Sequence, residues 1–341
     1  MQTPHILNTY RSAIDGALRS MLEPYTLPLY DMMRYHLGWI DEKGNEAAEP
    51  TGKALRPTLC LMACEAGGRG YERAMPAAVA IELIHNFSLI HDDLQDGDEE
   101  RRHRPTVWKI WGGPQAINAG SAMRVLANLA LSGARREGLP ADKYERLLGI
   151  FDRATLRLIE GQYLDIKYED CFDIGVTDYL AMIRGKTAAL ISCSMEAGAI
   201  IGTDDTETAE RFRELGENLG IAFQIRDDIL GIWGDSRTTG KPGGGDIRRR
   251  KKTLPIVFAL SNGPVRVKRA IAGIFQKGAV GDLDAEDVLE ALGEAGVYAH
   301  VQEMVEDYCE QSRRLIHAIQ MERRFKDNFE QIVEFLTVRS H

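Results

Sequence analysis

The chain has 341 residues, 44% of them hydrophobic and 27% charged, the balance of an ordinary globular protein. Its formal net charge of −9 argues against a general nucleic-acid binder, which needs a basic surface to replace phosphate counterions. No stretch approaches the roughly 20 apolar residues that span a bilayer, and the five cysteines (Cys60, Cys64, Cys171, Cys193, Cys309) have neither disulfide nor zinc spacing, so plain buried thiols are expected.

Along the chain the N-terminal segment has no basic start and no continuous apolar run, so no signal peptide is expected and a cytoplasmic setting is the default. Arg56-Pro57 predicts a helix start with proline in first helical position, and Gly67-Gly68 predicts that helix's end. Ala80, Leu83, Ile84, Phe87, Ile90 and Leu94 recur at spacings of three and four, which predicts a helix over 79–94. Gly112-Gly113-Pro114 breaks the chain again. Residues 116–134 are crowded with Ala, Gly and Ser, the mark of a helix that packs closely in the core or at a subunit interface. Leu215, Leu219, Ala222, Phe223 and Ile229 predict another helix, followed by a loop over 234–245 with five glycines and a proline. Strand-like alternation is nearly absent. The expectation is an all-α protein, one large helical domain over 1–341.

Both of these periodic helices end in paired aspartates. In His91-Asp92-Asp93-Leu94-Gln95-Asp96, Asp92 and Asp96 are four apart and share a helix face, where two carboxylates repel unless a cation joins them. Carboxylates without Cys, and with no clear His partner, suit a hard ion such as Mg2+, which completes its shell with water and phosphate oxygens. Phe223-Gln224-Ile225-Arg226-Asp227-Asp228 repeats the pattern. Two such helices suit one diphosphate held through several magnesium ions. The acidic residues Asp98, Glu99 and Glu100 read as a solvated helix end.

Cations are placed for a second anion. Lys53 and Arg56 flank an expected helix N-terminus, whose free N–H groups favour phosphate. His85, seven residues before Asp92, lies on nearly the same face; Arg101 and Arg102 follow the first acidic run. Lys186-Thr187, Lys241 and Lys251 gain weight as a set around the acidic helices and the glycine-rich loop. The basic run over 248–252 reads alternatively as a nucleic-acid or targeting signal, against the net charge.

The blocks GKALRP, HDDLQDGDEERR, GQYLDI, RGKTAAL, FQIRDD and GKPGGGDIRRRKKT resemble, in that order, the motifs of trans-isoprenyl diphosphate synthases, from about Gly52 to Pro255. The resemblance implies the isoprenoid synthase fold, helices around a central cavity, and head-to-tail prenyl transfer. Magnesium would sit on Asp92, Asp96 and Asp227, with Asp93 and Asp228 in support. Isopentenyl diphosphate would sit on Lys53, Arg56, His85 and Arg102. The allylic diphosphate would sit on Arg101, Lys186, Thr187, Gln224, Lys241 and Lys251. The glycine-rich loop would be a lid, and the enzyme a homodimer. Phe87 and Ser88, just before Asp92, resemble the chain-length positions of short-chain enzymes making geranylgeranyl diphosphate, with farnesyl diphosphate the alternative.

The chain departs from the family pattern at three points. Gly231 stands where a third aspartate is usual, with Asp235 one turn beyond; His103 and Arg250 stand where glycine is common. A class I terpene cyclase and a non-catalytic regulatory subunit are the rival readings. The cyclase has no use for Lys53, Arg56 and Arg102, and Gly231 alone supports the subunit.

Overall fold

The computed structural model describes residues 5–47, 54–234, 244–277 and 279–337. Among them the only strands are β1 (Glu100–Arg101) and β2 (Arg104–Pro105), one antiparallel hairpin. The principal helices are α1 (Arg11–Leu22), α2 (Pro28–His36), α3 (Leu55–Ala66), α4 (Met75–Gln95), α5 (Gly113–Arg136), α6 (Ala141–Tyr168) and α7 (Val176–Ile183). A π turn (Arg184–Ala188) leads into α8 (Ala189–Gly202), and α9 (Thr206–Trp233), α10 (Gly245–Arg248) and α11 (Leu254–Asn262) follow. The chain ends in α12 (Val265–Phe275), α13 (Asp282–Glu294), α14 (Val297–Ala318) and α15 (Arg323–Thr337). The all-α expectation holds. No helix among the described residues is long and apolar enough to cross a membrane.

The chain divides into two compact units. The first comprises Met1–Thr155, Cys193–Arg213 and Gln320–Phe325; the second comprises Leu156–Ser192, Glu214–Ile319 and Lys326–His341.

Helix α4 is the axis of the first unit. Ala77, Ala80, Ile81, Leu83, Ile84 and Ile90 are fully buried, so most of its circumference is enclosed by other helices, with Glu82 and His85 as polar exceptions. Helix α5 lies along it. Gly120 makes the approach possible, since a Cβ there would stand 2.4 Å from His91 Nε2. The small-residue pattern of α5 serves its inner face, with Ala116, Ala119, Met123 and Leu131 buried, while Ile117, Val125 and Leu129 are exposed. Helix α3 touches the C-terminal half of α8 at glycines: a Cβ on Gly198 would meet the Cys60 carbonyl oxygen at 2.0 Å. Cys60 and Cys64 are buried there as free thiols, held far above the ordinary thiol range chiefly by burial. Cys171 alone is half-buried, a correction to the expectation of buried thiols throughout. Helix α3 begins at Leu55, so Pro57 is its third residue rather than its first; the N–H it lacks is one that no first-turn residue needs.

In the second unit α9 packs on the π turn and the start of α8 through Gly216 and Gly220, whose added Cβ atoms would meet the Cα atoms of Ser192 and Ala188 at 2.7 and 2.6 Å. Gly161 of α6 meets the π turn still more closely, since a Cβ there would stand 2.1 Å from Lys186 N. Glycine is required there because backbone touches backbone.

Candidate active site

Within the first unit α4 stops at Gln95, and Asp96 caps it by donating its backbone N–H to the Asp92 carbonyl at 2.8 Å. Asp92 is half-buried and Asp96 exposed. Carboxylates at a helix C-terminus face the negative end of the dipole, an arrangement disfavoured by about 0.3–1 kcal/mol each at the surface. Asp93 points the other way. It is 1% exposed, and its Oδ1 accepts from Arg101 Nε at 2.6 Å. Its Oδ2 is buried with no hydrogen-bond partner among the described residues. Burial pushes Asp93 up to about 6; the Arg101 guanidinium opposes that shift, and Asp98 and Asp96 reinforce it.

The hairpin delivers the arginines. Arg101 pairs with Arg104, leaving Arg102-His103 as a two-residue turn with φ of +55° and +62°. Both central residues at positive φ make a type I′ turn, which Asn-Gly fills without strain. Two side chains there carry backbone strain that a glycine, which the resemblance implies at position 103, would avoid. Arg102 borders two open pockets, one lined also by His36, Asp93, Arg101 and Arg104, the other by Arg11, Trp39, Glu82 and Asn86.

Arg56 Nη1 lies 3.2 Å from His85 Nε2. A guanidinium only donates, so His85 Nε2 accepts and the imidazole is neutral. Burial, with Arg56 and Arg102, holds His85 well below the ordinary histidine range. It orients Arg56 rather than adding charge. Glu82, one turn before His85, was not legible as a site residue. Asn86 Nδ2 donates to its Oε1 at 3.0 Å, and burial raises its pKa against the pull of Asn86, Arg56 and Arg102. Arg56 Nε is buried without a hydrogen-bond partner among the described residues. Phe87 is 5% exposed and meets His91 edge-on at 5.7 Å; Ser88 is buried, its hydroxyl donating to the His85 carbonyl at 2.8 Å.

Within the second unit the paired aspartates divide as in the first. Asp227 is exposed and Asp228 is 4% exposed. Asp228 Oδ2 accepts from Tyr179 Oη at 2.5 Å and from the Leu254 N–H at 3.0 Å, and its Oδ1 accepts from Gln224 Nε2 at 3.1 Å. Burial pushes Asp228 up to about 7 despite those donors, and neighbouring Asp227 adds to the rise. Gln224 in turn accepts from the Thr187 hydroxyl at 2.7 Å. Lys186 pairs with Asp165, which follows Gly161 by one helical turn. Lys186 and Thr187 therefore sit on a π turn, a wide turn frequent at functional sites, set by the Gly161–Gly185 approach. Lys251 is exposed, whereas Lys252 is buried, donating to the Glu169 and Cys171 carbonyls at 3.0 and 2.7 Å. Arg250 has φ of +56°, a conformation that a glycine, implied there by the resemblance, would adopt without strain. Tyr179 was not singled out in the sequence, and Asp165 only as part of the GQYLDI block, because their partners are remote in the chain. Lys53, Lys241 and Asp235 lie outside the described residues.

Among the described residues no three His, Cys, Asp or Glu side chains gather as a metal site. Magnesium does not require one, since it commonly takes one or two carboxylates and keeps its remaining positions for water and phosphate. Asp92 and Asp96 in the first unit, and Asp227 in the second, are each accessible carboxylates of the kind such an ion takes.

The family model for polyprenyl synthetase matches residues 38–292. The chain belongs to that family. A (2E,6E)-farnesyl diphosphate synthase of Mycobacterium tuberculosis is 42% identical over 80% of this chain and 74% of its own. A geranylgeranyl diphosphate synthase of the same organism is 40% identical over 84% and 80%. The crystal structure of a polyprenyl synthetase from Streptomyces coelicolor A3(2) superposes with a TM-score of 0.92 at 36% identity, covering 99% of this chain and 100% of that one. The all-α polyprenyl synthetase fold is therefore shown over nearly the whole chain.

Proposed function

We propose that this polyprenyl synthetase is a short-chain prenyltransferase. It joins an allylic diphosphate to isopentenyl diphosphate, giving a chain one isoprene unit longer and free diphosphate. The observation that carries this reading is the repeated division of labour at the two helix ends. An accessible carboxylate (Asp92, Asp227) stands beside a buried one (Asp93, Asp228) that is anchored by protein donors.

Asp92, Asp96 and Asp227 would hold Mg2+, and when bound the ions neutralise charge developing on the departing diphosphate. Lys186, Thr187, Gln224, Arg101, Lys241 and Lys251 bind the allylic diphosphate. Asp228 and Asp93 act through their neighbours, Asp228 by fixing Gln224 and Asp93 by fixing Arg101. Arg56, Arg102, Lys53 and the neutral His85 bind the diphosphate of isopentenyl diphosphate, which is not ionised and needs bare cations only. The allylic C–O bond breaks, the isopentenyl double bond attacks the cation, and a proton leaves to the released diphosphate. Geranylgeranyl diphosphate is the proposed product, with farnesyl diphosphate the alternative. The relatives include makers of each.

A homodimer in the cytoplasm completes the reading. Ile117, Val125 and Leu129 on α5 and Leu156, Ile159 and Tyr163 on α6 are exposed apolar side chains for a second copy to cover.

The deciding experiment incubates the protein with geranyl diphosphate, labelled isopentenyl diphosphate and Mg2+. Label in a longer diphosphate is expected, and its chromatography fixes the chain length. Hydrocarbon formed from the allylic substrate alone would replace this reading with a cyclase.

A further inference from the structure

Asp227 and Gly231 are four residues apart on α9 and share a face. Gly231 is not bare space. A Cβ there would stand 1.9 Å from Asp246 Oδ2 and 2.6 Å from its Cγ. The carboxylate of Asp246 thus lies on the helix surface one turn beyond Asp227, where a side chain from Gly231 would otherwise begin.

The returning chain is built to hold it there. The Gly244 N–H donates to the Ile232 carbonyl at 3.0 Å, with Gly244 itself at φ of +76°. Ile247 is fully buried, and the Lys251 N–H donates to the Asp246 carbonyl at 2.9 Å. The first contact ties the chain two residues before Asp246 to the end of α9, and the others fix Asp246 within its own short helix. The carboxylate also joins an acidic neighbourhood, since Asp228, Asp165 and Asp246 all act on the Tyr179 phenol. Asp228 and Asp165 are engaged by protein donors, Tyr179 and Lys186 among them.

We propose that Asp246 supplies from α10 the second carboxylate that the α9 face lacks at Gly231, and acts with Asp227 in holding the metal–diphosphate complex. This rests on the prenyl-transfer reading above. It makes Gly231 a packing requirement of Asp246 rather than a lost ligand. Any side chain at 231 must evict the Asp246 carboxylate.

The test uses three variants of the full chain: Asp246→Asn, Gly231→Ala, and Asp246→Ala combined with Gly231→Asp. Mn2+ binding in the presence of inorganic pyrophosphate is followed by electron paramagnetic resonance, with Asp92→Ala and Asp227→Ala as references and circular dichroism as the check on folding. Asp246→Asn is expected to weaken Mn2+ binding by at least about tenfold, the loss typical of removing a group that supports a metal site. Gly231→Ala is expected to do the same although it removes no carboxylate. The double variant should recover to within about threefold of wild type, the carboxylate having moved from α10 to α9, where tenfold is the effect to be reversed. Wild-type Mn2+ binding in Asp246→Asn or in Gly231→Ala overturns the inference. If Asp92→Ala and Asp227→Ala also bind Mn2+ as wild type, the metal reading itself fails; if they lose binding and the Asp246→Asn protein does not, only this inference fails. Should Asp246→Asn not fold, Gly231→Ala and the double variant still decide.

Discussion

The phenol of Tyr179 donates to Asp228 Oδ2 at 2.5 Å, and this one contact separates two residues that the sequence writes identically. With the Leu254 N–H and Gln224 also donating, Asp228 is committed to the interior while Asp227 faces solvent. The two should fail differently. Asp228→Ala leaves the Tyr179 hydroxyl, the Leu254 N–H and the half-buried Gln224 amide without their acceptor and is expected to cost about 3 kcal/mol of stability. Asp227→Asn is expected to cut turnover by about a hundredfold or more, as loss of one group stabilising transition-state charge commonly does, with stability nearly unchanged. Urea denaturation and steady-state kinetics on both variants check this. An Asp228→Ala protein as stable as wild type would sink the assignment.

The Arg102-His103 turn and Arg250 carry a stability prediction. A non-glycine residue in the left-handed region costs roughly 1–2 kcal/mol, partly offset by the entropy glycine loses on folding. Arg102 is held there as a proposed phosphate ligand, a use of strain common at functional sites. His103 and Arg250 have no such role in the proposed chemistry. His103→Gly and Arg250→Gly are each expected to stabilise the protein by about 0.5–1 kcal/mol, read from chemical denaturation. The Arg250 change also removes a bond from its guanidinium to the Lys277 carbonyl at 2.9 Å, so its gain should be the smaller. A loss of stability in His103→Gly would refute the strain argument.

How far these features were legible in the sequence follows from the range of the forces involved. Helix α4 and its Asp92–Asp96 face could be read because i, i+4 neighbours are local and the apolar period is strong. Burial is not local. Nothing in Asp92-Asp93 says which carboxylate turns inward to Arg101, and nothing in Arg184–Ala188 announces a π turn, which Gly161 of another helix permits. Glu82 and Tyr179 were overlooked for the same reason: they matter only through residues brought to them by the fold. His103 and Arg250 were visible as departures from a family pattern, and at both the backbone angle is one that a glycine would adopt without strain.

His36 gives the pH dependence. Burial, then the Arg102 and Arg101 charges, push it down to about 3, from an ordinary value of 6.5. Its Nε2 is buried with no partner among the described residues. The folded state therefore keeps His36 neutral, while the unfolded chain takes up a proton below pH 6.5. The unfolded state binds more protons in that window, so stability falls as pH drops from about 6.5 toward 3. Between pH 7.5 and 5.5 the loss from this group is about 1.4 kcal/mol. His36→Gln should flatten the wild-type slope by about that amount, whatever other groups contribute. Urea denaturation at the two pH values measures it; an unchanged difference would remove His36 from the account.

Product length is the last expectation, and it turns on two neighbouring positions of α4. Ser88 is four residues before Asp92, on the same face and about 6 Å along the axis. Phe87 is set around the helix from it, buried against His91. A prenyl chain whose diphosphate is held near Asp92 would pass Ser88 first and meet the wall that Phe87 helps to build. Ser88→Phe is then expected to shorten the product by filling that path, and Phe87→Ala to lengthen it. Phe87→Ala carries a structural cost of about 3–5 kcal/mol, because a buried ring is lost. Phe87→Leu, which keeps most of the volume, is the gentler variant and should lengthen the product less. Chromatography of the diphosphates formed by all three reads the shift directly. A product identical to wild type in both Ser88→Phe and Phe87→Ala, with the helical fold retained, would move the chain-length limit away from this end of α4.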